Sequence, residues 1–499
     1  MISAYLHSVA EVIAELHERG FYADCSSLVT DHRRLSGPKD VFLAVPGMRY
    51  DPRTMADDLI REQRCGLVLV EYDDARVYQS ASVLSVLNLK ACLAQLAKTY
   101  YESPSEALDV IAVTGTNGKT TVTRWLAQSL SALGKRAAVL GTLGYGSPAD
   151  LKEHSGLTTP DVVGMHHTLH ELKRQGFDTV CLEASSIGLD QGRLRGVDID
   201  WAVFTNFSQD HLDYHGTMDA YGQAKLILAN WPTLRAAVAN VDDALGKTFA
   251  DVVTNRHLPC TRVGSTQGLE LHVLGCVHAG KGMRVEFKPL QGPAFGVAAP
   301  VIGQFNAENL AVVAGVLLSM GHGSNEVQRA LQQVSAAPGR MEMISESPCV
   351  VVDYAHTPDA LEKVLIALRP FARARDGRLI ALFGCGGDRD RSKRPRMGEL
   401  AAQLADAVVL TSDNPRGESP EAILAEIVSG VAPSLSHKVQ LEIDRKAAIA
   451  QVLAQANAQD VIVLAGKGHE TTQTIGQHVL PHSDVLVARA ILQKGGAHA

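Results

Sequence analysis

Short, uniformly apolar runs separated by longer amphipathic stretches set the rhythm of this chain. Val41-Phe42-Leu43-Ala44-Val45 and Gly66-Leu67-Val68-Leu69-Val70 come first, followed by Val110–Val113, Ala137–Leu140, Thr179–Leu182 and Trp201–Phe204. Runs this brief and continuous mark strands buried on both faces. Between them, Ala91–Tyr101, Val122–Leu130 and Met165–Gln175 read as helices. The alternation predicts an α/β protein, with parallel sheets covered by helices. A boundary falls near Ala336-Ala337-Pro338-Gly339, and the pattern then resumes at Cys349–Val352, Leu379–Phe383, Ala407–Leu410 and Val461–Leu464. Each of these last four strands runs into a loop rich in Gly, Asp, His or Arg. Ligands of open α/β sheets sit outside the carboxyl ends of strands, so one shared site is expected there. Three domains follow: a small N-terminal α/β domain over 1–90, a central one over 91–337 and a Rossmann-like one over 338–499.

Composition narrows the class. A chain of 499 residues has room for roughly three domains of about 150 each. Lys+Arg 47 against Asp+Glu 54 gives a net charge of −7, a poor match to nucleic acid or an anionic membrane surface. Anionic ligands must therefore be held by local clusters. The 8 cysteines are scattered without CxxC pairs, which suggests buried thiols in a reducing, cytoplasmic setting. Met1–Ala10 lacks the basic start of a signal peptide, and no apolar stretch is long enough for a membrane span.

The chemistry starts at Gly115-Thr116-Asn117-Gly118-Lys119-Thr120-Thr121, between the apolar run ending at Val113 and the helix from Val122. A strand entering a helix through a glycine turn points backbone N–H groups at one spot, which suits a polyphosphate. Lys119 would reach the terminal phosphates and the Thr120 hydroxyl would sit on Mg²⁺, so ATP use is expected. Val113 stands where the usual GxxxxGK[ST] pattern has its first glycine. Downstream, Glu183 at a strand end is a hard oxygen ligand for Mg²⁺. The run Phe204–His215 packs His211 and His215 beside Asp210 and Asp213, which reads equally as a metal site or a self-satisfied polar loop. Lys225 lies in a helical pattern that would ordinarily make it a surface charge.

Taken together, GTNGKTT, the TTPD of Thr158–Asp161, EASSIGLDQGR, FTNFSQDHLDYHG and the Lys225 helix resemble the Mur ligases of peptidoglycan synthesis. Asp353–Asp359 (DYAHTPD), Gly384–Asp390 (GCGGDRD), Asp413–Arg416 (DNPR) and Gly466–Glu470 (GKGHE) extend the resemblance to the diaminopimelate-adding members of that family. It runs from about residue 109 to 490. The resemblance implies that ATP phosphorylates a carboxylate of a UDP-N-acetylmuramoyl-dipeptide and that an amine of meso-diaminopimelate attacks the acyl phosphate. Two magnesium ions are implied, one on Thr120 and Glu183, the second served by His211 and by Lys225 as a carbamate. Gly115, Thr116, Asn117, Gly118, Lys119, Thr120 and Thr121 would hold the phosphates, and Asn306 and Asn309 the adenine, unless either asparagine caps its helix. Thr158, Thr159, Ser185, Gln191 and Arg193 would hold the precursor, with Thr30 and His32 near its uridine. Arg389, Asp413, Asn414, Pro415, Arg416, Gly466 and Glu470 would form the diaminopimelate pocket, pairing the charges of its second zwitterionic end.

Two places depart from the family pattern. Asp31-His32-Arg33 stands where Asp-Ser-Arg is usual, and Pro46–Arg53 replaces a Gly-x-x-x-Asp-Gly loop, which implies either altered uridine affinity, a modified nucleotide-sugar or compensating residues in the early segment. A folate-polyglutamating ligase shares the phosphate loop and the chemistry, although DNPR and TTPD argue against it. A non-catalytic relative that binds nucleotide or wall precursor is the other alternative, opposed by the presence of Lys119, Glu183, His211 and Lys225. A monomer is expected, closing on its substrates near Pro338-Gly339.

Overall fold

The apolar runs fold as strands because period-2 alternation gives each of them two faces to bury. The computed structural model describes residues 5–47, 50–152, 156–279 and 282–495. Its internal contacts define two compact units, Met1–Val263 with Gly315–His322, and Gly264–Ala314 with Gly323–Ala499.

In the first unit a four-stranded parallel sheet runs in the order Ser27–Val29, Gly37–Ala44, Cys65–Glu71, Val83–Val86. Val41, Leu43, Leu67 and Leu69 face the helices Val9–Glu18 and Leu89–Tyr100, burying Val12, Leu16 and Leu96. Phe42, Ala44, Val68 and Val70 fill the opposite face with Leu59. The same unit holds a larger sheet, ordered Cys260–Gly264, Ala236–Asn240, Trp201–Phe204, Asp109–Thr114, Thr179–Glu183, Ala137–Gly141, all parallel. Short antiparallel strands Gly144–Ser147 and Asp150–Lys152 finish that edge. Asp109–Thr114 is central, flanked by Trp201–Phe204 and Thr179–Glu183. That order brings the phosphate loop, Glu183 and the loop after Phe204 to one sheet end.

The second unit contains an antiparallel set, Leu271–Ala279, Gly282–Pro289 and Phe295–Ala299, which the pattern of apolar runs does not foretell. It also holds a six-stranded sheet ordered Glu342–Glu346, Cys349–Asp353, Val461–Ala465, Leu379–Phe383, Ala407–Leu410, Val439–Leu441. The first pair is antiparallel and the others parallel. Val351, Ala381 and Val463 pack on one face, and Val350, Ile380 and Ile462 on the other. The expected boundary at Pro338 falls within the second unit, where Gly339 adopts φ +63° and donates its N–H to Glu342. Among the described residues no helix is long and apolar enough to cross a membrane.

Candidate functional site

The phosphate loop is shaped by its glycines. Gly115 has φ +147° and lies so close to Thr205 and Asn206 that a Cβ would collide with the threonine hydroxyl. Gly118, at φ +85°, starts the helix Lys119–Ala132 without a side-chain cap. The loop is pinned from behind: Asn117 N–H donates to Asn206 Oδ1 at 2.9 Å and the Thr205 hydroxyl to the Asn117 carbonyl at 2.6 Å. Lys119 Nζ donates to the carbonyls of Gly115 and Thr116, each at 2.9 Å. Thr121 is buried in the first helical turn.

Thr120 and Glu183 lie side by side. The threonine hydroxyl lies 3.0 Å from both oxygens of the buried Glu183 carboxylate. Thr142, which no motif singles out, donates its N–H to Glu183 Oε1 at 2.8 Å and its hydroxyl to Oε2 at 3.2 Å, and also meets the Thr158 hydroxyl at 3.0 Å. Room for the carboxylate exists because Gly141 has no Cβ; one there would overlap Glu183. The result is a compact group of hard oxygen donors beside the phosphate loop.

Lys225 is not the surface charge its helical pattern suggests. It is 1% exposed, on the helix Met218–Leu226, with Nζ on the Gly115 carbonyl at 2.8 Å and over the Tyr221 ring at 4.3 Å. Burial, reinforced by the charge of Lys119, pushes its pKa well below the ordinary lysine value. The Tyr221 hydroxyl lies 3.2 Å from Thr116 Oγ1, tying this helix to the phosphate loop. His211 is half-exposed, in left-handed backbone at φ +51°, and 3.5 Å from Asp210. Among the described residues no three His, Cys, Asp or Glu side chains gather as a metal cluster.

The proposed precursor residues share one network. Thr159 donates its hydroxyl to the Glu183 carbonyl at 2.8 Å and meets Ser185 Oγ at 3.0 Å, while Ser185 caps the short helix Ser186–Asp190. Arg193 donates to the Thr159 carbonyl at 2.8 Å and forks onto Gln191 Oε1 at 2.7 and 3.0 Å. Tyr214 joins them, its hydroxyl bridging Gln191 and Asp190. Thr30 donates to Asp161 at 3.3 Å, on the rim of a cavity of about 150 Å³ that Asp31, Asp40 and His167 also line. His32 opens the short turn His32–Arg34, capped by Asp31, and its ring lies 6.0 Å from that of Tyr50. Of the divergent loop after it, Met48 and Arg49 lie outside the described residues. A larger cavity of about 620 Å³, walled by Trp231, Asp198 and Gln223, is lined by no residue expected to act in the chemistry.

The four strand ends of the last sheet converge. Gly466 N–H donates to the Asp353 carbonyl at 3.1 Å, a Cβ on Gly466 would lie 2.7 Å from Asp413 Oδ2, and Gly384 packs against Asp413 N. Asn414 donates to Glu470 Oε2 at 2.9 Å, and Arg416 to the Gly387 carbonyl at 2.9 Å. The Pro415 carbonyl packs on Gly387, so closely that a Cβ there would clash. Arg389 is exposed, its Cγ within 3.7 Å of a Cβ placed on Gly386. Lys467, whose role the motif left unread, is fully buried and donates to Glu470 at 2.8 Å and to Asn414 Oδ1 at 3.3 Å. Arg340 stacks 4.4 Å over Tyr354, a second pairing that no motif signals. Asn306 and Asn309 do not cap: both lie inside the helix Gln304–Ser319, with Asn306 donating to the Ile302 carbonyl and Asn309 to Asn306.

Known proteins resemble this chain along nearly its whole length. The family pattern of the Mur ligase middle domain matches residues 113–317, and that of the Mur ligase glutamate ligase domain matches residues 339–468. A UDP-N-acetylmuramoyl-L-alanyl-D-glutamate–2,6-diaminopimelate ligase of Ectopseudomonas mendocina is 44% identical, covering 95% of this chain and 96% of the relative. The ligase of the same name from Pseudomonas aeruginosa is 43% identical over 91% and 92%. A solved structure of such a ligase is 35% identical with a TM-score of 0.66, covering 95% of both chains. The fold alone is shared with a MurF ligase from Thermotoga maritima in complex with ADP, at 20% identity and a TM-score of 0.67 over 95% and 98%. A family pattern over both halves and relatives of this identity along nearly the whole length establish that the chain belongs to the Mur ligases.

Proposed function

We propose that this protein is an ATP-dependent ligase that joins meso-diaminopimelate to UDP-N-acetylmuramoyl-L-alanyl-D-glutamate in the cytoplasm, acting as a monomer. The observation that carries the proposal is the convergence of Lys119 and Lys225 on the Gly115 carbonyl, beside the Thr120–Glu183 pair. The reaction must bring a γ-phosphate and a carboxylate into contact. The Lys119 ammonium at a helix N-terminus offsets that repulsion before any bond forms. The names of the relatives and the DNPR, GCGGDRD and GKGHE loops favour diaminopimelate over other amines.

Mg²⁺ fits the Thr120–Glu183 pair, because both donors are buried hard oxygens and phosphate and water complete such a shell. Bound there it supplies further neutralisation of the γ-phosphate. A second ion fits less directly, since an ammonium on Lys225 cannot ligate and His211 is half-exposed. Carbamylation of Lys225 would resolve this, and its depressed pKa favours the neutral amine that reacts with CO₂. Arg193, Thr158, Thr159, Ser185 and Gln191 orient the precursor, with Thr30 and His32 towards its uridine, and Asn306 and Asn309 take the adenine amide contacts. Arg389 and Arg416 pair the far carboxylate of the amino acid, while Asp413, Asn414, Glu470 and the Gly466 carbonyl receive its ammonium. The domain limits near residues 90 and 337 belong to the same proposal.

The test is ADP release with the dipeptide precursor and a panel of amines. Turnover with meso-diaminopimelate at least a hundredfold above L-lysine is expected, since a site built on polar partners rejects an analogue lacking them by up to about 10⁴–10⁵-fold. Folate-dependent ADP release, or none with precursor and diaminopimelate together, would overturn the assignment.

A further inference from the structure

The loops that carry Arg389 and Arg416 are tied to one another by a side chain with no exposed surface. Arg394, in the first turn of the helix Lys393–Leu404, has no exposed side-chain surface. Its Nη1 donates to Glu418 Oε2 and to Glu426 Oε2, both at 2.8 Å. Its Nη2 donates to Glu418 Oε1 at 2.8 Å and to the Gly386 carbonyl at 3.1 Å. Glu418 in turn accepts the Asp388 N–H at 2.6 Å, and the Asp388 carboxylate accepts the Gly417 N–H at 3.0 Å. The ring closes where Gly387 N–H donates to the Asn414 carbonyl at 2.9 Å and Arg416 Nη1 returns to the Gly387 carbonyl at 2.9 Å.

We propose that Arg394 is a positioning residue for amino-acid selection, a buried guanidinium that fixes the spacing between the Arg389 loop (384–390) and the Arg416 loop (411–418). This rests on the assignment of those loops to the amino-acid substrate and deepens it. Recognition of a second zwitterionic end needs its charged partners held to within about half an ångström. Two loops joined only at the surface would not hold that tolerance. A planar fork can serve Glu418, Glu426 and the Gly386 carbonyl at once, whereas a lysine offers a single point of charge.

The experiment is steady-state kinetics on the full-length Arg394→Lys protein, with thermal unfolding as the check on folding. The Michaelis constant for diaminopimelate is expected to rise at least tenfold, with kcat within threefold and the Michaelis constants for ATP and precursor within twofold. Preference for diaminopimelate over L-lysine should fall by the same factor. A folded variant with an unchanged Michaelis constant and a lower kcat shows a merely structural role and overturns the proposal. Should Arg394→Lys not fold, Glu426→Gln removes one arm of the clamp while keeping the guanidinium on Glu418. It is expected to raise the same constant about threefold, and no change in it overturns the proposal equally. Failure of the wild-type protein to use diaminopimelate is a different outcome: it refutes the choice of amino acid, and the clamp is then decided on the amine that the wild type does use.

Discussion

The Lys225 amine is 1% exposed and lies 2.8 Å from a carbonyl that also receives Lys119. Burial disfavours the charged form of Lys225 and the neighbouring ammonium adds to it, so the folded-state pKa is depressed. The sign of the linkage follows. Between the folded value and the unfolded value of about 10.4 the unfolded chain binds more protons, so this group's contribution to stability increases with pH across that window. For activity, the neutral amine appears as pH rises through the folded value. Its reaction with CO₂ forms the N–C bond of a carbamate and releases the proton. We expect the acid limb of the rate profile to move to lower pH when bicarbonate is added to CO₂-depleted enzyme. A carbamate resonance should appear with ¹³C-bicarbonate and be absent from Lys225→Arg. A rate indifferent to bicarbonate, with no such resonance, would remove the carbamate from the mechanism.

At the scale of elements, the parts most legible from sequence are the strands buried on both faces, because a continuous apolar run has few other readings. Trp201–Phe204, Leu379–Phe383 and Ala407–Leu410 end where the apolar runs end. Gly282–Pro289 turns Arg284, Glu286 and Lys288 outward, while Leu271–Ala279 is interrupted by His272 and Gly275 and leaves Leu274 and Val277 exposed, so neither leaves a continuous apolar run. The site divides in the same way. Phosphate-loop residues announce themselves by spacing, whereas Thr142, Tyr221, Lys467 and Arg394 act through tertiary neighbours that spacing does not encode. Buried cations are the hardest to foresee, since lysine and arginine normally lie at the surface. Arg445 and Asp484 are another case, both at 0% exposure and joined at 2.6 and 2.8 Å, linking the helix Arg445–Gln455 to the start of Asp484–Gly495. Asp484→Ala leaves the guanidinium buried without its anion and should cost about 3–5 kcal/mol, read by urea unfolding. Arg445 and His482 hold the Asp484 carboxyl well below the usual range despite its burial. Its contribution is therefore complete above the unfolded value of about 3.9 and is lost only as pH falls towards the folded one. An unfolding free energy unchanged by the substitution would show that the pair carries no net stability.

For the whole molecule, the residues proposed for the phosphates and those proposed for the amino acid fall in different compact units. The phosphate loop, Glu183 and Lys225 belong to the first, and the Arg389, Asn414, Arg416 and Glu470 cluster to the second. Asn306 and Asn309, proposed for the adenine, also belong to the second. Hydrogen exchange can separate these assignments, because a ligand present at a hundred times its Kd slows amides that open only by unfolding of its site roughly a hundredfold, about 2.7 kcal/mol. Mg-ATP should therefore slow exchange at 115–123 and at 304–310 together, leaving 411–418 and 466–475 unchanged. Diaminopimelate alone should give the converse, slowing the latter two segments and leaving 115–123 as they were. Protection by ATP confined to the first unit would strip Asn306 and Asn309 of their adenine role while leaving the phosphate chemistry intact. Protection of 411–418 by ATP without amino acid would mean that the nucleotide already orders the amine pocket, making substrate order a consequence of the fold.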